Sequence, residues 1–317
     1  MVFNHFFCYN IAHGDFMTEK DYKIILKDKL IEYRDTLNLP KNVTFGVEIE
    51  YENIVKDTVS YLLLEEQQKN PSLMNWKNTS EIDISEFNEL GEELNGEIVS
   101  KILLDKSSTW QSLKTVLNML EKNGAIITNK CGGHVNIGAH ILEQNKDYWR
   151  NFFLLWLLYE DVIYKFSSGE FMEVRADELG LLKKISNYFH LTKLKNIKRI
   201  DYLGINRFDK CLDVYIDKNL SNEILMGNRI EFRIPNGTLS EEIWQNYINF
   251  FTRFVIACKK ELDVEKTIYK IKKKDSSAVE LADYVFDDEI DKEYFLIQTL
   301  KTNKIYKKEL PEHKIYY

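Results

Sequence analysis

The chain has 317 residues, 44% of them hydrophobic and 13% aromatic, enough to bury a sizeable core in one large domain or two small ones. Forty-three Lys and Arg stand against 50 Asp and Glu, a net charge of -7, so the basic footprint of a nucleic-acid-binding protein is absent. Cys8, Cys131, Cys211 and Cys258 lie far apart with no C-x-x-C pair, which argues against a zinc knuckle, a dithiol motif or a disulfide scaffold and fits a reducing cytoplasm.

Residues 1–16 lack the basic start and continuous apolar run of a secretion signal, and Met17 is a candidate natural start. The N-x-S/T matches at Asn42, Asn78, Asn219 and Asn236 are then read as chance. Asp21 to Tyr33 has charged residues around an apolar stripe and is expected to be helical. Thr44 to Tyr51 alternates as a strand. Asn75 to Asn95 is polar and irregular, and Gly96 to Ile102 is again strand-like. Ser107 or Ser108 is a candidate cap for a helix through Leu120, with Gly124 to end it. Ala125 to Thr128 reads as a short strand, followed by the segment Cys131 to Gly138.

Asp147 to Phe166 reads as a long helix. Its most apolar part, Phe152 to Tyr159, is too short to span a bilayer. A mixed, largely helical region is expected as far as Ile197, then strands at Tyr202 to Arg207 and Ile230 to Ile234. Ser240 is placed to cap a helix reaching Leu262, with Glu241 and Glu242 in its first turn. Strands separated by helices of varied length, without a regular βαβ beat, predict an α+β fold with a mixed or largely antiparallel sheet.

Chemistry concentrates in three of these strands: Phe45-Gly-Val-Glu48-Ile-Glu50, Cys131-Gly-Gly-His134-Val-Asn136-Ile-Gly138, and Arg229-Ile-Glu231-Phe-Arg233-Ile234. Residues i and i+2 of a strand share a face. Glu48 and Glu50, His134 and Asn136, and Glu231 and Arg233 therefore pair up on one side, with Val47, Ile49, Val135, Ile137, Ile230 and Phe232 on the other.

Each motif alone has an ordinary explanation. Two carboxylates about 6–7 Å apart on a solvated strand face repel by roughly 2–3 kcal/mol at an effective dielectric of about 20, and water tolerates them. A lone histidine is more often structural, and Glu231 with Arg233 makes a simple ion pair. Cys131 and His134 suggest a nucleophile pair, but no third residue is placed to orient the imidazole. Assembled together, however, several acids with one imidazole and one guanidinium form a like-charged cluster that a divalent cation relieves. Carboxylate oxygens favour Mg²⁺ or Mn²⁺. The H-E-x-x-H zinc motif, the P-loop and the dinucleotide glycine fingerprint are all absent.

At these residues the chain resembles the amidoligase family, carboxylate–amine ligases of the glutamine synthetase and glutamate–cysteine ligase type. The resemblance rests on Phe45-Gly-Val-Glu-Ile-Glu50, on Trp76 with Asp83-Ile-Ser85, and on Gly96-Glu97-Ile-Val-Ser100. It continues through Cys131-Gly-Gly-His-Val-Asn-Ile-Gly138, Tyr202-Leu-Gly-Ile-Asn206, Ile230-Glu-Phe-Arg233 and Asn236-Gly-Thr-Leu239, in order over roughly residues 43–260.

The resemblance implies a curved, mostly antiparallel sheet whose concave face holds ATP and two or three Mg²⁺ or Mn²⁺ ions. By position Glu48, His134 and Glu231 would hold one metal near the ATP phosphates, and Glu50 with Glu97 another near the substrate carboxylate. Asp83 would assist there, bind the incoming amine or accept the amine's proton, and Arg233 would stabilise the transferring phosphoryl group. Arg199, Asn206 and Asn136 would contact nucleotide or substrate, with Arg175 and Arg207 less well anchored. The chain departs from many relatives at Gly133, where they carry a larger residue, and at Asn136, where they carry a second histidine. Asn136 retains hydrogen-bonding capacity.

The implied organisation is an N-terminal extension with a helix over 1–40, a catalytic domain over 41–262 and a C-terminal helical extension over 263–317 packed on the same domain. The basic run Lys266 to Lys274 and the acidic run Asp287 to Glu293 are expected to be solvated helix faces. The implied reaction is ATP-dependent amide formation through an acyl phosphate between a carboxylate and an amine. The acid or amine would be an amino acid, a peptide or another small molecule, or a protein side chain; neither nucleic acid nor membrane is an expected partner. The competing readings are a metal-dependent hydrolase or phosphotransferase, and a non-catalytic nucleotide-binding relative.

Overall fold

The computed structural model describes residues 17–80, 86–128, 130–171, 191, 211–215 and 228–301. Within them the chain forms α1 (Glu19–Ile25), β1 (Phe45–Tyr51), α2 (Lys56–Lys69), β2 (Lys77–Thr79), β3 (Gly96–Val99) and α3 (Ser107–Lys122). These are followed by β4 (Gly133–Gly138), α4 (Lys146–Ser167), β5 (Leu212–Tyr215), β6 (Arg229–Phe232), α5 (Glu241–Ala257), α6 (Val264–Lys273), α7 (Ala278–Val285) and α8 (Glu289–Leu300). The fold is α+β. Among the described residues six strands run in the order β2-β3-β1-β4-β6-β5 with every pairing antiparallel.

Alternation makes the sheet two-sided, as the sequence predicts. Val47, Ile49, Ile98, Val135, Ile137, Ile230 and Phe232 are all fully buried on the back face. Helices α3, α4 and α5 cover it: Phe45 stacks on Trp110 at 5.4 Å, and Phe232 stacks on Trp156 at 5.7 Å and Phe251 at 4.2 Å. Large aromatic contacts of this kind supply both buried area and geometric specificity. On its far side α5 meets α8, where Phe295 stacks on Phe250 and Phe166. Helix α4 therefore lies between layers, which explains why Phe152 to Tyr159 is apolar all round.

Several elements differ from expectation for tertiary reasons. The N-terminal helix stops at Ile25 rather than Tyr33, with Leu26 as its C-cap, and the chain is next fixed by distant side chains from Arg34 onward. Gln245 accepts from Arg34 N–H and donates to its carbonyl, and Asp105 accepts from Leu37 N–H and Leu39 N–H. Helix α3 is capped at Lys106 with no side-chain hydrogen bond, so neither Ser107 nor Ser108 is the cap. Ala125 to Thr128 contributes only a single bridge, Ile126 to Glu52. Strand β3 ends at Val99, where the Ser100 hydroxyl takes over as acceptor from Val47 N–H.

Strand β6 ends at Phe232. Helix α5 is capped by Ser240 as expected but ends at Ala257. Beyond it Asn151 Nδ2 donates to the carbonyls of Cys258 and Lys260. The polar stretch 75–95 contains edge strand β2, and α2 emerges from a segment with no clean stripe. The acidic run near 287–293 is not wholly solvated: Asp291 is 1% exposed and accepts from Arg34 at 2.7 Å and Arg253 at 2.9 Å. Tyr202 to Arg207, and the region expected to run to Ile197 apart from residues 167–171 and 191, lie outside the described residues. No helix among the described residues is long and apolar enough to cross a membrane.

Candidate active site

The register across the front face sets the site. Glu48 lies opposite Val99 on one side and His134 on the other. Glu50 lies opposite Glu97, and Asn136 opposite Glu231, which in turn faces Asp213. Four strands thus deliver their acids and one imidazole to a patch two residues deep. The patch is far drier than a solvated strand face: His134 and Glu231 are each 1% exposed and Glu50 3%.

His134 is the hub. Its Nδ1 lies 2.9 Å from Glu48 Oε2, 3.6 Å from Glu97 Oε1 and 3.9 Å from Glu231 Oε1, while its Nε2 lies 3.1 Å from Glu50 Oε1. Burial and the Arg233 charge work to lower its pKa, but the hydrogen bonds and charges of Glu48 and Glu50 prevail and push it up to about 10. Reciprocally, burial works to raise Glu48, but the hydrogen bond and charge of His134 and the hydrogen bond from Asn136 bring it down to about 2. Asn136 Nδ2 donates to Glu48 Oε1 at 2.8 Å, so one Glu48 oxygen is fixed by β4's amide and the other by its imidazole. Glu50 accepts from the Gly132 N–H.

Arg233 Nη1 donates to Glu231 Oε1 at 2.5 Å and is half-buried. Burial works to lower the guanidinium pKa, and the charge and hydrogen bond of Glu231, with Glu48 and Glu50 beyond, raise it. Among the described residues, Glu48, Glu50, Glu97 and Glu231 face Arg233, Arg229 Nη2 at 3.5 Å from Glu231, and the His134 imidazole.

Two groups in the patch bring ligand atoms within 4.8 Å of one another, Glu48 with His134 and Glu231, and Glu50 with Glu97 and His134. This donor set fits hard divalent cations: carboxylate oxygens dominate, and His134 Nε2 is buried without a well-directed hydrogen bond. A neutral imidazole offers one lone pair, so only one group can use His134 at a time.

The structure brings together Glu48, Glu50, Glu97, His134, Asn136, Glu231 and Arg233. Asp83, Arg175, Arg199, Asn206 and Arg207 lie outside the described residues. Cys131 does not serve as a nucleophile partner: it is fully buried, and burial pushes its thiol well above the ordinary range, with Glu52 and Glu50 adding to the effect. The Gly133 departure has a steric origin, because a Cβ there would lie 2.8 Å from the Asn236 carbonyl and 3.1 Å from the Trp244 ring.

Arg229 and Asp213 were not singled out from sequence. The alternation that selects Glu231 and Arg233 selects Arg229 equally, and Asp213 sits at the same parity in Leu-Asp-Val-Tyr. Arg229 and Lys101 line a cleft of about 270 Å³ that also takes in Gly46 and Gly138 and borders Glu48 and Asn136.

A family model described as "Putative amidoligase enzyme" matches residues 41–255. No curated protein matches the chain. Among solved structures, one titled "Crystal structure of novel glutamine synthase homolog" is similar at a TM-score of 0.42 and 8% identity, over 82% of this chain and 66% of that one. A likeness of that size identifies neither a substrate nor a reaction. The family match spans most of the chain and includes all the clustered residues above, and the chain therefore belongs to the amidoligase family, a family of ligase-type enzymes.

Proposed function

We propose that this protein is an ATP-dependent carboxylate–amine ligase that forms an amide bond through an acyl phosphate, with an amino acid or peptide as the substrate class. The observation that carries the reading is the pair of ligand groups sharing His134, set beside a cleft walled by Arg229 and Lys101. In this reading Glu48, His134 and Glu231 hold one Mg²⁺ or Mn²⁺, and Glu50 with Glu97 holds another. Bound there, such ions supply charge neutralisation for phosphate oxygens and a carboxylate.

A carboxylate exchanges oxygen for nitrogen only if that oxygen leaves as a good leaving group. Attack of the substrate carboxylate on the γ-phosphorus forms an acyl–oxygen–phosphorus bond and breaks the bond to ADP. Amine attack on the acyl carbon then expels inorganic phosphate, and the amine's proton passes to a base such as Asp83. Phosphoryl transfer asks the protein mainly for alignment and fixed positive charge. Arg233 offers a planar donor already oriented by Glu231, suited to the transferring phosphoryl oxygens. Arg229 and Lys101 flank the path of the remaining phosphates. The cleft suits a phosphate chain; whole drug-sized ligands take pockets of about 300–1,000 Å³. Asn136 holds Glu48 in a single orientation, a positioning role that a neutral amide fills without adding charge.

Thermal melting with Mg²⁺ and a non-hydrolysable ATP analogue tests the nucleotide site. Stabilisation that needs both components supports the reading. ADP release that survives undiminished in Glu48→Gln, Glu231→Gln and Arg233→Ala would remove this patch as the site.

A further inference from the structure

We propose that Glu52 is the recognition carboxylate for the amine substrate, which binds as a primary ammonium; this rests on the ligase reading above. Glu52 follows Glu48 and Glu50 at the same parity of β1, and its backbone keeps that alternation through two bonds to Ile126, N–H to carbonyl and carbonyl to N–H at 3.0 Å each. It is 7% exposed, and its Oε1 is buried without a hydrogen-bond partner. A buried carboxylate oxygen left unpaired is costly and is uncommon unless a ligand or water completes it.

The surroundings favour an ammonium over a metal ion. Glu52 belongs to neither group of converging ligand atoms among the described residues. Beside it lie the Thr128 hydroxyl and the charges of Glu86, Lys130 and Glu50. The Lys130 ammonium is engaged by Glu86 at 3.1 Å. One carboxylate oxygen and a neighbouring hydroxyl are too few for a hard divalent ion, which takes about six oxygens, but they suit the short, directional N–H bonds of an alkylammonium.

Position along β1 makes the assignment chemically coherent. Gly46 lines the proposed phosphate cleft, Glu48 and Glu50 belong to the two proposed metal groups, and Glu52 comes next. With about 3.3 Å per residue, an ammonium at Glu52 sits roughly 6–7 Å along the strand from Glu50, beside the proposed acyl site and at the opposite end from the phosphates. The strand would thus present phosphate, phosphoryl transfer and amine in reaction order. Glu52 binds the ammonium in this account and is not assigned its proton.

The test compares Glu52→Gln with wild type on two nucleophiles. Hydroxylamine is largely uncharged near neutral pH, whereas a primary alkylamine is cationic. The ratio of kcat/KM for the amine to that for hydroxylamine is expected to fall at least about tenfold in the variant, the scale of a lost charge-assisted hydrogen bond. An unchanged ratio overturns the proposal.

A binding arm separates this proposal from the ligase reading. Ethylammonium, with tetramethylammonium as a charged probe lacking N–H groups, is titrated into the full chain over a series of Mg²⁺ concentrations up to saturation. Stabilisation by ethylammonium alone, lost in Glu52→Gln, supports the site even if no ligation is found. Equal effects of the two probes, no binding of either, or competitive displacement by Mg²⁺ overturns it, because the carboxylate is then served by water or metal. Glutamine preserves shape and removes a buried charge, so the variant is expected to fold, as a melt in the same buffer checks.

Discussion

His134 and Glu48 face each other across the β1–β4 register with Nδ1 and Oε2 2.9 Å apart, and each holds the other's charge far from its ordinary range. Glu48 falls from 4.5 to about 2, so its contribution to stability is present above pH 4.5 and is lost as pH falls towards 2. His134 rises from 6.5 to about 10, so its contribution is present below pH 6.5 and is lost as pH rises towards 10. A metal requires the neutral imidazole and displaces its proton. Metal-free protein is therefore expected to lose stability between pH 6.5 and 10, while stabilisation by Mn²⁺ grows over the same window with proton release on binding. Paired melts in chelator and in Mn²⁺ across that range check this, and His134→Gln should flatten the difference. A metal effect independent of pH would contradict the shared-proton picture.

Gly133 is held by its surroundings rather than by its own backbone needs. The Asn236 carbonyl and the Trp244 ring occupy the space of a side chain, and the Gly133 N–H donates to the Pro235 carbonyl at 2.9 Å. Gly133→Ala must push a backbone carbonyl away directly behind His134. The expected loss is about 1–3 kcal/mol in urea unfolding, the usual range for overpacking, with weaker Mn²⁺ binding in the folded variant. A stability loss without any change in metal binding would show that the loop gives way independently of the site.

Asp291 ties the C-terminal helices to the segment preceding β1. It bridges Arg34 and Arg253 while 1% exposed, so Asp291→Ala leaves two largely buried guanidinium groups without their shared carboxylate. Removing one side of a buried pair costs about 3–5 kcal/mol, and urea denaturation should show a loss of that size. A loss below about 1 kcal/mol would mean that the arginines find solvent or other acceptors, as exposed pairs do.

The legible part of the site is the part written in strand alternation. Glu48, Glu50, His134, Glu231 and Arg233 could be assigned to one face because a two-residue period is unambiguous over short apolar-backed segments. The same rule applied to Arg229 would have found the cleft's cationic wall. Asp213 was harder to find, since its relevance depends on β5 pairing with β6 so that it faces Glu231.

Other features depend on contacts distant in sequence. Helix α1 ends at Ile25, and Gln245 and Asp105 fix the backbone from Arg34 onward, contacts that nothing within Asp21 to Tyr33 announces. Strand β2, three polar residues long, exists through its pairing with β3. Helix α2 escaped notice because Tyr61 and Leu64 are exposed while Val59 and Leu63 are buried, which erases the stripe.

Trapping the activated acid tests the central proposal most directly. The protein is incubated with ATP, Mg²⁺ or Mn²⁺, hydroxylamine and pools of carboxylic acids, and both ADP and hydroxamate are measured. The account predicts ADP and hydroxamate in equal amounts for one acid, with both lost in Glu231→Gln and Arg233→Ala. ADP released with no hydroxamate from any pool, and with phosphate passing instead to water or to a hydroxyl acceptor, would contradict acyl-phosphate chemistry and make the patch a hydrolase or phosphotransferase site.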